Sequence, residues 1–237
     1  MEGQAEGQGP ALDEPDLGRV LKKLYRSRFD AADLRQMRAV WRVLVSDFFQ
    51  KRLRPGLPVL DLGAGPCLFI NEVVAVQRIA LDANPDLAQH AAQGVEVVVA
   101  EDLSLREIPD ASVGHVFLSN ILEHLEDGLE VVRLLERIHR KLLPGGSILI
   151  LQPNFRLAPA RYFDFIDHRV VLTERSLREA LEAVGYEIRE MRVRFLPFTS
   201  KSRLPRWPLL VRLYLRCRPA QWLLGKQTFV EAVKPSP

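Results

Sequence analysis

The chain is poor in cysteine. Cys67 and Cys217 are the only two in 237 residues, and they lie far apart. That excludes a cysteine metal-binding pair and a disulfide-stapled secreted domain, and it favours a reducing compartment. No run of about 18 apolar residues occurs, so no transmembrane helix is expected. Residues 1–16, MEGQAEGQGPALDEPD, lack the basic start and apolar centre of a signal peptide. Their acidic, Gly/Gln-rich composition predicts a disordered tail. No internal repeat breaks the chain into an array. Acid is missing from one long stretch: Met191–Val230 holds Arg192, Arg194, Lys201, Arg203, Arg206, Arg212, Arg216, Arg218 and Lys226 with no Asp or Glu. Against a net charge of +3, those nine cations leave −6 on the rest of the chain. A basic, apolar segment therefore sits on an acidic body and localises any anionic partner.

What is present is ordinary globular material, 47% hydrophobic and 27% charged, enough for one large α/β domain. Residues 17–53 read as helix, with Leu34, Met37, Trp41, Leu44 and Phe48 on one stripe. Pro55, Gly56 and Pro58 end it. Five continuous apolar runs follow: Val59–Leu62, Arg78–Asp82, Val95–Ala100, Val113–Ser119 and Ser147–Gln152. Such runs suit parallel strands covered on both faces. A helix over Leu129–Leu143 is predicted to stop at Pro144-Gly145-Gly146. A capping box at Ser176–Glu179 opens another helix, closed by Gly185. Strands over Tyr186–Phe195 and Thr228–Val233 complete the pattern. Alternating strands and helices mean a doubly wound sheet, and ligands of such sheets bind beyond the C-terminal ends of the strands.

The turns at those ends hold Asp61, Gly63 and Gly65, then Asp82, then Glu101-Asp102, then Asn120 and Glu123-His124. Glycines in the first turn let backbone N–H groups approach a ligand closely. An acid ending the second strand suits a ribose diol. A dinucleotide site needs G-x-G-x-x-G, and Leu68 stands where the third glycine falls. Asp61 is also awkward beside a pyrophosphate. It suits a ligand carrying an ammonium group and no phosphate, which argues against a nicotinamide dehydrogenase.

The ordered set of D-x-G-x-G at Asp61–Gly65, Asp82, Glu101-Asp102, SNILEHL at Ser119–Leu125 and LLPGGSILILQPN at Leu142–Asn154 resembles the class I S-adenosylmethionine-dependent methyltransferases, small-molecule type, of bacteria. The resemblance implies a Rossmann-like α/β sheet of seven strands, mostly parallel with an antiparallel last strand, and helices on both faces. It implies Gly63 and Gly65 under the methionine part of S-adenosylmethionine, and Asp61 facing the amino end. Asp82 would bind the ribose, Asp102 the adenine amino group with Leu103 beside the ring, and Asn120 would line the methionine side. Cys67 departs from the family's third glycine and should pack against backbone, outside the chemistry. The chain then divides into a tail (1–16) and one domain (17–237). That domain comprises N-terminal helices (17–56), a cofactor-binding core (57–155), a substrate-side region (156–198), a basic apolar insertion (199–227), and the last strand and tail (228–237).

Methyl transfer to a hydroxyl benefits from a base, and His124, His168 and Asp167 are the candidates, with Tyr162 and Phe165 as substrate contacts. His124 reads equally as a packing residue at a helix start. Ubiquinone-type O-methyltransferases, which this stretch resembles, can hold a divalent ion with Glu-x-x-Glu-His. Here Asn120 replaces the first acid, so no metal is expected. In the insertion, Pro208–Arg218 reads as one helix with Leu209, Leu210, Leu213, Tyr214 and Cys217 on one side and Arg212 and Arg216 on the other. Trp207 and Trp222 flank it. A lid, a dimer element and a contact with an anionic membrane surface through Arg212 and Arg216 all fit. Nucleic acid is not expected, since SNIL stands where base-amino methyltransferases carry a proline-proline-aromatic motif. The expectation is a cytoplasmic O-methyltransferase, peripheral to a membrane in one reading, acting on a small or lipid-linked acceptor. The alternative is a non-catalytic binding module working through residues 199–227.

Overall fold

The strands follow the apolar runs closely. The computed structural model describes residues 31–100, 102–198 and 207–236; the tail 1–16, the helix start 17–30, Glu101 and residues 199–206 lie outside the described residues. The strands are β1 (Val59–Leu62), β2 (Arg78–Asp82), β3 (Val95–Val99), β4 (Val113–Ser119), β5 (Leu142–Pro153), β6 (Glu187–Leu196) and β7 (Gln227–Val233). They form one sheet in the order β3-β2-β1-β4-β5-β7-β6. The pairs from β3 to β5 are parallel, and β7 runs antiparallel to both β5 and β6. The C-terminal ends of β1, β2, β3, β4, β5 and β6 therefore share one sheet edge with the start of β7.

Side chains alternate along each strand and feed two cores. Leu60, Leu62, Val116, Leu118, Ile148, Ile150 and Val230 pack under helices α2 (Gly128–Lys141) and α4 (Glu174–Val184). On α2, Leu134, Leu135 and Ile138 are completely buried, each stabilising by roughly 2 kcal/mol. Val59, Phe117, Leu149, Leu151 and Phe229 form the opposite core. It is covered by the end of α1 (Ala31–Leu44), by the wider π turn over Val45–Phe49 and by the tighter 3₁₀ turn over Gln50–Arg52 that continue it. Aromatic rings fill that side, with Phe69 stacked on Phe117 at 3.9 Å. Gln36–Pro237 is one compact unit, distinct from the residues before it.

Four local expectations change. The β1–β2 and β2–β3 crossovers hold only short 3₁₀ turns, Ile70–Glu72 and Pro85–Gln89, because the first spends its length on a tight turn. Helix α2 stops at Lys141, and β5 begins at Leu142 with the Pro-Gly-Gly inside it. The capping box lies three residues earlier: Thr173 Oγ1 accepts from Ser176 N–H at 3.2 Å, and Ser176 Oγ accepts from Thr173 N–H at 3.0 Å. Pro208–Arg218 is not one helix. It breaks at Cys217 into α5 (Pro208–Arg216) and α6 (Arg218–Leu224), because Pro219 cannot donate into a continuing helix. A single helical turn, α3 (Pro159–Tyr162), lies in the connection after β5.

Candidate active site

The turn after β1 is wound tightly. Gly63, Gly65 and Cys67 have φ of 68°, 50° and 55°. Gly63 N–H and Ala64 N–H donate to Leu81 O at 2.8 and 3.1 Å, which ties the turn to the end of β2. A Cβ on Gly63 would lie 2.1 Å from Ile121 Cδ1, so the turn after β4 rests directly on this glycine. Asp61 is buried beneath the turn, where it accepts a hydrogen bond from Ile70 N–H. Burial pushes its carboxyl up to about 8 against that hydrogen bond, and the Asp82 charge adds to the rise. A cation above the turn favours its ionised form. Asp82 braces the same turn. Its two oxygens accept from Gly65 N–H and Asn84 N–H, both at 2.8 Å. Each oxygen keeps a second lone pair, and the side chain is only partly buried.

Further along the edge, Asp102 is exposed and accepts from Ser104 N–H at 3.0 Å; hydrogen bonding to Ser104 holds its carboxyl below the ordinary range. Leu103 packs partly against the core beside it. Asn120 takes the left-handed conformation at φ 55° and is exposed. Its Oδ1 accepts from Gln227 Nε2 at 2.8 Å, so the first residue of β7 positions it. These groups fit an adenosine attached to a short cationic chain: partly solvated carboxylates with spare acceptor sites, and a turn without Cβ atoms at two positions. S-adenosylmethionine has that form.

Beyond β4 and β5 lies a second cluster. Glu123 is completely buried, and its Oε2 accepts from Gln152 Nε2 at 2.9 Å. Burial raises its carboxyl above the usual range. His124 Nδ1 stands 3.1 Å from the Asp167 carbonyl and 3.3 Å from its carboxylate. That contact leaves Nε2 turned toward Glu123 Oε1, 3.9 Å away. His168, buried and 4.9 Å from the His124 ring between centroids, sends its own Nε2 to 3.9 Å from the same oxygen. Phe165 stacks on His168 at 5.0 Å.

Residues 34–191 match the methyltransferase-domain family. The chain belongs to the S-adenosylmethionine-dependent class I methyltransferases. It is 30% identical over 141 residues to a probable S-adenosylmethionine-dependent methyltransferase of Mycolicibacterium smegmatis, covering 57% of this chain and 54% of that one. It is 26% identical over 145 residues to acetylserotonin O-methyltransferase of Macaca mulatta, covering 56% of this chain and 41% of the relative. This chain thus spans about half the length of the curated relatives it matches. A solved S-adenosylmethionine-dependent methyltransferase of Archaeoglobus fulgidus shares the fold, with a TM-score of 0.62 at 18% identity, covering 92% of this chain and 100% of that one.

In this methyltransferase, Gly63, Gly65, Asp102, Leu103 and Asn120 lie in the turns at the C-terminal sheet edge, Asp82 ends β2, and Asp61 sits in β1 one residue before its end. His124, Asp167 and His168 come together although 43 residues separate His124 from Asp167. Tyr162 differs from expectation. It is fully buried, its hydroxyl donating to Val170 O at 2.7 Å and accepting from Leu172 N–H at 3.2 Å. It locks the loop after β5 and offers no open surface to a substrate. Sequence reasoning missed Ile121 over Gly63, and Gln152 on Glu123. The available signal was Gln152 itself, a polar residue ending an otherwise apolar strand.

The insertion also differs from its sequence reading. Among the described residues, Val211, Tyr214 and Leu215 are the inward side of α5, and Tyr214 donates to Phe195 O at 2.7 Å. The leucine stripe faces outward. Leu209 and Leu213 are 67% and 54% exposed, and Trp207, Trp222 and Leu223 close to 70%. Arg212 turns back to Asp47 at 3.4 Å. No helix among the described residues is long and apolar enough to cross a membrane.

Proposed function

We propose that this methyltransferase moves the methyl group of S-adenosylmethionine to a hydroxyl of a small or lipid-linked acceptor presented at an anionic membrane surface. The observation that carries the reading is the convergence of His124, Asp167 and His168 from two separate connections at the edge where the cofactor turn lies. S-adenosylmethionine supplies an activated methyl on a sulfonium. The protein's part is placement and proton handling. Asp82 and Asp102 hold the nucleoside end, and Asp61 with the glycine turn holds the amino end. The His124–Asp167–His168 cluster takes up the proton that the acceptor hydroxyl loses, and Phe165 forms an apolar wall beside it.

The membrane part rests on the outward leucines and on topology. Residues 197–226 leave β6 and enter β7 at the same sheet edge as the site. Among the described residues, six of the thirteen exposed large hydrophobic side chains lie between Trp207 and Leu223. Beside them, a cavity of about 260 Å³ is lined by Lys51, Arg52, Arg192, Arg212 and Arg216 against one acid, Asp47. Outward tryptophan and leucine side chains with arginines at their border match the boundary of an anionic bilayer.

Calorimetry with S-adenosylmethionine and its demethylated product tests the cofactor. Saturable binding is expected, with loss in Asp82→Ala; no binding by either ligand, with that variant indistinguishable, ends the reading. A tritiated-methyl assay over cell extract, split into lipid, saccharide, protein and nucleic-acid fractions, identifies the acceptor. Label is expected in the lipid or small-molecule fraction, with turnover down about 10²-fold or more in His124→Ala and His168→Ala at unchanged cofactor affinity. Cofactor binding with no label in any fraction favours a non-catalytic module. Co-sedimentation with vesicles rich in phosphatidylserine should be salt-sensitive and fall in an Arg212→Glu/Arg216→Glu variant. No binding to any vesicle removes the membrane contact, and equal partition to neutral vesicles removes its anionic preference.

A further inference from the structure

We propose that Glu123, His124 and His168 bind one divalent transition-metal ion of the zinc type. The proposal deepens the methyl-transfer reading and rests on it for its purpose, because the same cluster faces the acceptor; as a binding site it stands on its own geometry.

Four observations converge. First, Glu123 Oε1 is buried without a hydrogen-bond partner, a costly arrangement for a carboxylate. Protonating it does not relieve the cost, since both imidazole nitrogens stand 3.9 Å away, beyond hydrogen-bond reach. Second, the gap is close to the size of an ion. Ligand atoms about 2.0–2.2 Å from one tetrahedral ion sit about 3.3–3.6 Å apart. The two 3.9 Å separations are slightly wider, and the three ligand atoms, all within 4.8 Å of one another, would close on an ion by small turns of the two rings. Third, the supporting contacts are those a metal ligand needs. His124 directs Nδ1 to the Asp167 carbonyl and carboxylate, which fixes the ring and frees Nε2. Gln152 Nε2 holds the other oxygen of Glu123. Such partners orient ligands and set the tautomer. Fourth, two imidazoles and one carboxylate are a three-ligand set that leaves a coordination position open.

The third ligand comes from the fold rather than from a local motif. Glu123 and His124 are adjacent in the turn after β4, whereas His168 arrives from the loop after β5, locked by Tyr162. No ligand spacing along the chain marks it. An ion here would polarise an acceptor oxygen at its open position, and with both Nε2 atoms taken as ligands the Asp167 carboxylate is the group of the cluster left to receive the hydroxyl proton.

The test uses the full chain, stripped with a chelator and titrated with Co²⁺ alone while its visible absorption is followed, then with Zn²⁺ by calorimetry. One saturable equivalent is expected. Glu123→Gln and His168→Ala should each weaken it at least tenfold, and His90→Ala should leave it unchanged. No saturable Co²⁺ or Zn²⁺ binding, or binding that is the same in Glu123→Gln and His168→Ala, overturns the site. The unmodified chain gives its answer without any variant, and circular dichroism checks the fold of each. Cofactor affinity measured on the same samples separates the two readings. Metal binding without cofactor binding defeats methyl transfer and leaves the site, whereas cofactor binding without metal binding defeats the site alone.

Discussion

Cys67 shows what one residue can and cannot disclose. It occupies the left-handed region at φ 55°, where an L-residue is disfavoured by about 1–2 kcal/mol relative to glycine. The turn keeps the backbone path that a glycine permits, with a thiol in its place. The thiol is completely buried and lies 3.9 Å from Gly65 O. Burial, then the charges of Asp61 and Asp82, push it up to about 12. A thiol in that state is neither nucleophilic nor reachable. Cys217 is exposed. Treatment of the native protein with iodoacetamide should therefore modify Cys217 alone, and denaturant should bring Cys67 to the same extent of labelling. Rapid native labelling of Cys67, read by peptide mass spectrometry, would show an open turn. The sequence made this residue legible because a gap in a glycine pattern is visible. Ile121 was not legible. Nothing in an apolar side chain says that it will rest on a glycine 58 positions earlier.

At the scale of elements, the strands were readable and the joints were not. Short continuous apolar runs bounded by turn residues suit buried strands, and β1, β2 and β4 carry the expected bounds. Helix starts depend on which polar side chain wins the first free N–H groups, and TERS offers two candidates. Ser176 and Glu179 match a box by spacing, yet Thr173 and Ser176 form it, because the chain is already extended at Thr173 (φ −123°, ψ 167°). Thr173→Ala should lower stability by about 1 kcal/mol in urea unfolding, while Glu179→Ala should change it by less than about 0.5 kcal/mol. Equal losses would return the box to the later position. The insertion failed for a related reason. Amphipathic periodicity gives a stripe but not its direction, and the inward side of α5 is chosen by Tyr214 reaching Phe195 O.

Long-range pairing belongs to the whole molecule, and composition hides it. Among the five histidines, His124 and His168 meet only because β4 and β5 are neighbours. His115 ties the interior of the sheet to the segment before β1. It is 3% exposed, its Nε2 accepts from Arg54 N–H at 2.9 Å, and its Nδ1 is 2.7 Å from Ser147 Oγ on β5. The first bond needs an unprotonated Nε2. Burial, with Arg54 and Arg189 nearby, lowers its pKa to about 4 from the ordinary 6.5. The folded protein therefore binds fewer protons than the unfolded chain between those values. This contribution to stability is complete above about pH 6.5, falls as the pH drops toward 4, and is flat below. Between pH 7 and 4.5 the loss is about 2 kcal/mol. His115→Gln keeps an acceptor for Arg54 and a donor for Ser147 but cannot titrate. Urea midpoints across that range should fall further in the native sequence than in the variant, by that amount. Parallel pH profiles would mean that His115 stays neutral in both states or is protonated in both.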